Sequence, residues 1–333
     1  MRFALISFGY CLAACSLAGE EAAPPDPARA LATPPITRCI NLGSALEAAY
    51  EGEWGYTVRK EDLIQIREAG FDTVRLPVRW SAHAQAAPPY RIRSAKLQRV
   101  QEIVDWTEAL GLNIIINVHH YDALNEDPDA HEPRLEAIWD QLAAAFAGAS
   151  DRVIFETLNE PHSNMTQART DALNRRLMQR IRRDHPDRWV ILSTANWGNL
   201  EALEQARPDY DPRAILTFHT YSPFEFTHQG APWTEATETG IDWGDASDLK
   251  AVRADLDAAH AVQTRQHMPV FIGEFGVYEG VSVAARAQWT RVLRTEMEAR
   301  DLSWCYWDFA GSLKAYDMDA DAWIPEIKAA LLD

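Results

Sequence analysis

From about Arg38 to the end of the chain, short runs of consecutive apolar residues alternate with longer stretches whose apolar residues recur three and four positions apart. The apolar runs occupy 39–43, 73–78, 113–119, 153–159, 189–194, 214–219, 269–274 and 303–307. Runs of this length, apolar on both faces, predict strands of a parallel sheet covered by helices. Between them, Leu135, Ile138 and Leu142, then Leu173, Leu177 and Ile181, then Trp289, Val292, Leu293 and Met297 each mark one face of a helix. The stretch 200–206 is weaker and predicts a short helix or an irregular turn, and 324–332 predicts a closing helix. Eight strand–helix units with no linker or break in composition over 37–333 predict the α/β class and one closed (β/α)₈ barrel of the TIM type, a single domain.

The texture before residue 37 is different. Arg2 followed by an apolar run from Phe3 to Ala14 predicts an export signal over 1–15. The run is too short to cross a bilayer, which takes about 20 apolar residues. Leu12-Ala13-Ala14-Cys15 resembles the bacterial lipobox, in which cleavage leaves a lipidated amino-terminal cysteine. An exported protein is therefore expected, a periplasmic or outer-membrane lipoprotein anchored through Cys15, with ordinary secretion as the alternative. Residues 16–36, rich in Ala, Pro and Glu and without apolar periodicity, predict an extended tether. Beyond it only Cys39 and Cys305 remain, too few for a disulfide framework or a zinc set. Both fall in apolar strand-like runs, so buried free thiols are expected, with a strand-to-strand bridge as the alternative.

A formal charge of −17 repels phosphate backbones and anionic lipid heads, so no nucleic-acid partner is expected. Twelve tryptophans exceed what a core needs, since Trp is hard to bury completely, and some should face a groove. The chain is expected to act as a monomer.

The chemistry-bearing residues gather at the carboxyl ends of the apolar runs, where such barrels place their sites. Run two carries Arg75, run three ends in His119-His120-Tyr121, and run four in Asn159-Glu160. Run six ends in His219-Thr220-Tyr221, run seven in Glu274, and run eight in Trp307-Asp308. Each alone has an ordinary explanation: a Glu capping the next helix, a His satisfied in the core, a packed Trp. Six at corresponding places do not. Runs four and seven lie on opposite sides of an eight-strand mouth, so Glu160 and Glu274 face each other across it. A carboxylic acid and a carboxylate on either side of a bond are what glycoside hydrolysis needs. Arg75 by charge and Tyr221 by a hydrogen bond are placed to keep Glu274 ionised. Burial and the charge of Glu274 would keep Glu160 protonated. Asn159 is placed to bond a sugar 2-hydroxyl, and Trp307 offers a flat face to a pyranose ring.

VRLPVRW around Arg75, NVHHY with His119 and His120, Asn159-Glu160-Pro161, His219 with Tyr221, GEFG around Glu274 and YWDF around Trp307 together resemble glycoside hydrolase family 5. The match runs in order from about Arg38 to the end. The resemblance implies a retaining β-glycoside hydrolase with Glu160 as acid/base and Glu274 as nucleophile. Arg75, His119, His120, Asn159, His219, Tyr221 and Trp307 would surround the substrate, with no metal and no organic cofactor. NLGSALEA, EGEWG and FEFTHQGAPW resemble the bacterial endoglucanase branch, some of whose members cut both β-1,4-glucans and β-1,4-mannans. An endo-acting β-1,4-glycanase is therefore expected, working on cellulose-like and mixed-linkage glucans by double displacement, with mannans as a further substrate class. In that branch an Asn often stands where this chain has Ser44, whose hydroxyl replaces an amide. Trp233, Glu47 and His228 lie in loops resembling those that line the family's cleft, although loop packing, capping and solvation explain them equally simply.

Alternatives stay open at this point. His119-His120 beside carboxylates suggests a metal hydrolase, but adjacent strand residues point to opposite faces unless the strand bends. A sugar-binding lipoprotein without catalysis would keep the same cleft. Within enzymes, a β-mannanase or an exo-β-glucosidase differs only in loop geometry.

Overall fold

The computed structural model describes residues 31–333, so the export signal, Cys15 and positions 16–30 of the expected tether lie outside the described residues. Each apolar run contributes one strand: β1 (Cys39–Asn41), β2 (Thr73–Leu76), β3 (Asn113–Asn117), β4 (Val153–Glu156), β5 (Val190–Leu192), β6 (Ala214–His219), β7 (Val270–Phe275) and β8 (Ser303–Tyr306). They close into a parallel barrel in sequence order, β1 pairing with both β2 and β8. Most strands stop short of the carboxyl end of their run, because the last residues leave the ladder to build the mouth.

The periodic segments form the expected helices, Pro128–Ala145, Gln167–Asp184 and Val283–Glu298, burying Leu135, Ile138, Leu142, Leu173, Leu177, Ile181, Trp289, Leu293 and Met297. Val292 is only partly buried. Their starts are fixed locally: the side chains of Asp127, Thr166 and Ser282 accept backbone N–H groups of Ala130, Arg169 and Ala285. The weak stretch resolves as a short helix, Leu200–Gln205, capped by Asn199, and the chain closes on Pro325–Leu332. Among the described residues no helix is long and apolar enough to cross a membrane.

Strand alternation sorts the core into two layers. Ile40, Val74, Ile114, Ile116, Phe155, Val190, Leu216 and Ile272 face the helices. Cys39, Ile115, Ile154, Ile191, Ile215, Phe271 and Cys305 form a separate cluster inside the barrel with Ile36 and Trp189. Two residues further along the strands, at interior positions, stand Asn41, Arg75, Asn117 and Glu156, all buried. The filling of the barrel therefore changes from apolar to polar immediately below the mouth.

Cys39 and Cys305 sit opposite each other where β1 meets β8 and form a disulfide, S–S 2.07 Å, both fully buried. The expectation of free thiols is thereby corrected. Closure of the barrel is the reason: it brings two positions 266 residues apart in sequence to a Cα–Cα distance of 4.2 Å.

Candidate active site

Arg75 is the centre of the polar layer. Its Nε and Nη2 donate to the two oxygens of Glu156 at 2.6 Å each, and Nη2 also donates to Asn159 Oδ1 at 2.7 Å. Nη1 donates to Asn41 Oδ1 and to Glu274 Oε1, both at 2.8 Å. Asn41 in turn donates through Nδ2 to the carbonyls of Gly273 and Tyr306, 3.0 and 3.2 Å away. A fully buried guanidinium is tolerable only when acceptors meet its donors, as they do here. Because Asn159 commits its oxygen to Arg75, its amide N–H is the group left to meet a ligand.

Similar logic fixes His119. Asn117 Oδ1 accepts from Val78 N, so its Nδ2 is the donor toward His119 Nδ1 at 3.2 Å, and the imidazole carries its proton on Nε2. Burial first, then the neighbouring His120, hold the His119 imidazolium well below the ordinary range. The ring is a neutral donor lining the cleft.

Neighbouring residues can both face the cleft because the backbone twists out of strand geometry. His120 and Glu160 have φ of 49° and 45°, the left-handed region that costs a non-glycine residue energy and is concentrated at functional sites. The strand bends here, the condition under which the two histidines could share a face: their rings are 4.4 Å apart and both line the cleft. A register shift between β6 and β7 places His219 beside Glu274. Gly273 at that shift has no room for a side chain, since a Cβ would come within 2.8 Å of His219 Nε2.

The two glutamates meet over this floor. Tyr221 OH donates to Glu274 Oε2 at 2.9 Å, opposite the bond from Arg75. His219 Nδ1 lies 2.7 Å from Glu160 Oε1 and 3.6 Å from Glu274 Oε2. One oxygen of each glutamate and the His219 nitrogen all lie within 4.8 Å of one another. Burial raises the Glu160 carboxyl, but the hydrogen bond and charge of His219 outweigh it and bring it below the ordinary glutamate value. Burial also raises Glu274, and there it prevails over the opposing charges of His219 and Arg75. Burial lowers His219, yet the charges of Glu274 and Glu160 bring the imidazole above its ordinary value. Burial acts on Glu160 in the expected direction, and His219 is the group that opposes it. The short His219–Glu160 contact is one across which a proton can pass between the two groups.

Around these groups runs an open cleft of about 1400 Å³. Trp307 lies in it with His119, their rings nearly parallel at 5.8 Å. Trp233, half-exposed, lines it with its edge against Tyr278, and Ser44, Glu47 and His228 line it too. Glu47 accepts from the backbone N–H of Ser44 and Ala45, and burial pushes its carboxyl up to about 7. Asp308 behind it accepts from Gly311 N, and burial followed by the charge of Glu47 pushes it up to about 8.

Sequence reasoning missed Glu156, Asn117 and Asn41 in the floor, and Trp54 and Trp197 in the walls. Glu156 had a signal, a charged residue inside an apolar run, where an unpaired charge is not tolerated. Trp197 is half-exposed on the loop after β5 and stacks on His162 at 4.6 Å. Its Asn196-Trp197-Gly198 setting is a run of three positive-φ residues, a loop geometry that periodicity does not signal.

The cellulase model, glycosyl hydrolase family 5, matches residues 42–312. Endoglucanase H of Acetivibrio thermocellus is 34% identical over 299 residues, which cover 88% of this chain and 32% of that protein. The chain thus spans about a third of the length of that curated relative. Among solved structures, Thermotoga maritima Cel5A in complex with cellobiose superposes with a TM-score of 0.87 at 38% identity, over 89% of this chain and 97% of that one. Cel5A from the same organism in complex with mannotriose gives the same score, identity and coverage. With the closed barrel, the paired glutamates and the model match over most of its length, the chain belongs to the cellulase family, glycosyl hydrolase family 5.

Proposed function

We propose that this chain is a retaining, endo-acting β-1,4-glycanase that hydrolyses cellulose-like and mixed-linkage β-1,4-glucans, with mannans as a second substrate class. The observation that carries the reading is the carboxylate pair, whose nearest oxygens lie within 4.8 Å. Retaining enzymes hold their carboxyl groups about 5 to 5.5 Å apart, whereas inverting ones need roughly 6.5 to 9.5 Å to admit a water. In this mechanism Glu274 Oε attacks the anomeric carbon as the glycosidic bond breaks, and Glu160 delivers a proton to the departing oxygen. The resulting glycosyl ester is cleaved by a water whose proton returns to Glu160. Asn159 N–H meets the sugar 2-hydroxyl, and Trp307 stacks the ring. His120, His219 and Trp233 complete the contacts. The mannotriose complex of the Thermotoga maritima relative supports the wider substrate range.

Glu160, His219 and Glu274 would also suit a cation by distance alone. Against that, Glu274 already accepts from Arg75 and Tyr221, and a cation there would sit beside a buried guanidinium. One experiment addresses both readings. Reducing-sugar release from carboxymethylcellulose, mixed-linkage glucan, xyloglucan and mannan, measured in excess chelator, should be fastest on one of the first two, with viscosity falling ahead of sugar release. Activity lost to the chelator and restored by zinc would favour the metal reading, and activity confined to mannan would make the chain a mannanase.

We further propose that the protein is exported and held by a lipid on Cys15, with 16–36 as the tether to the barrel. The Cys39–Cys305 bridge supports an oxidising compartment. Cys15→Ser should shift the full-length protein out of the membrane fraction, and wild type found wholly in the medium would overturn the anchor.

A further inference from the structure

Two of the guanidinium nitrogens of Arg75 are taken up by Glu156, in a two-point contact at 2.6 Å on each side. Glu156 is itself fully buried and also accepts from Asn117 Nδ2 at 3.2 Å. It is not one of the residues that line the cleft. What lies under Glu274 is therefore an ion pair and not a lone cation, and this distinction bears on the reaction. When Glu274 bonds to the anomeric carbon, its negative charge disappears into a neutral ester. Anything that stabilises the free carboxylate more than the ester slows that step. An unshared buried cation at hydrogen-bond distance would do so, since an opposite charge this close depresses a carboxyl by about one to three pKa units. A carboxylate so held is also a weaker nucleophile. The two-point contact additionally fixes the guanidinium plane, so that Nη1 is directed at Glu274 Oε1 and Nη2 at Asn159.

We propose that Glu156 is a positioning residue that counterbalances Arg75, so that Arg75 aligns Glu274 without over-stabilising its charge. The inference rests on Glu274 being the nucleophile. It agrees with the Glu274 carboxyl standing above its ordinary value, burial prevailing although Arg75 is 2.8 Å away.

The test compares Glu156→Gln, which removes the charge at constant size, with Glu156→Asp, which keeps the charge at shorter reach. Wild type is first treated with 2,4-dinitrophenyl 2-deoxy-2-fluoro-β-cellobioside. A label on Glu274 upholds the nucleophile, and a label elsewhere sinks that assignment independently of the variants. In Glu156→Gln the acidic limb of kcat/KM, which reports ionisation of the free enzyme, should move down by about one unit. On dinitrophenyl β-cellobioside its kcat/KM should fall severalfold, up to about tenfold. Breakdown of the ester should not slow, because a more acidic carboxylate is the better leaving group, so the burst of dinitrophenol should shrink. Glu156→Asp should keep the wild-type limb even where kcat drops, and this variant alone decides the matter if the Gln protein does not fold. A folded Glu156→Gln enzyme with an unmoved limb, an equal loss in both half-reactions, or a limb displaced by Glu156→Asp would each overturn the proposal and leave Glu156 as no more than a folding partner for a buried arginine.

Discussion

Glu274→Gln is expected to bind oligosaccharide and yet be nearly inert, with kcat down by a factor on the order of 10⁵ to 10⁶, the scale seen when a nucleophile is deleted. The amide keeps the shape and can still accept from Arg75 Nη1, now 2.8 Å from the carboxylate oxygen, so the cleft should stay assembled. It cannot form the ester, and azide or formate should not restore turnover with retained configuration. Glu160→Ala should behave differently. It removes proton transfer, a contribution of roughly 10² to 10⁴, so substrates that need no acid, such as dinitrophenyl glycosides, should still form the intermediate. Azide should then speed its breakdown and give a β-glycosyl azide, because it attacks without a general base. Isothermal titration with cellotetraose and product analysis by NMR separate the two variants. A β-glycosyl azide from Glu274→Gln, or inversion at the anomeric carbon in the wild type, would reverse or remove these roles.

The state of the acid depends on His219. With the imidazole 2.7 Å from Glu160 Oε1, a proton drawn to the nitrogen leaves Glu160 ionised and a proton drawn to the oxygen leaves His219 neutral. Both arrangements hold the same number of protons. In the proposed mechanism Glu160 delivers a proton to the departing glycosidic oxygen, and this contact is a route by which that proton can return to the carboxylate. Tyr221 stays a donor throughout, since burial and then the charge of Glu274 push its phenol well above the ordinary value.

Much of this was visible in the chain because a parallel barrel writes itself plainly. Strands such as 113–117, covered on both faces, read as unbroken apolar runs, and the residue that ends each run is the one that reaches the mouth. Glu160, Glu274, His119, His219, Tyr221 and Trp307 could be identified on that basis, and the cleft brings them together. The floor was harder to see. Asn41, Asn117 and Glu156 lie within the strands, and their roles come from partners on other strands, which local pattern does not encode. The family resemblance placed His120 in the site, but alternation did not, because it assumes extended backbone and His120 has left it. Trp197 and Trp54 depend on loop geometry that periodicity does not reach.

The disulfide is the clearest case of information that appears only on closure, and it carries the second large expectation. Nothing local distinguishes Cys39 and Cys305 from free buried thiols; only the register in which β8 returns to β1 makes them partners. Joining positions 266 apart ties the first strand of the barrel to the last, so the cross-link restricts nearly the whole described chain when it unfolds. Loops of this size carry the largest chain-entropy effect, and native bridges typically contribute about 2 to 5 kcal/mol. A Cys39→Ala/Cys305→Ala double variant should therefore unfold in urea at a clearly lower midpoint, with an added loss because each fully buried Ala leaves a small void inside the barrel. Full burial also predicts that reductant alone will not open the bridge in the folded protein, and that dithiothreitol will lower the midpoint only when present during unfolding and refolding. Non-reducing digestion should yield a peptide pair joining Cys39 to Cys305. Recovery of both as free thiols from protein made in an oxidising compartment, or a double variant with the wild-type midpoint, would show that the barrel does not depend on this seam.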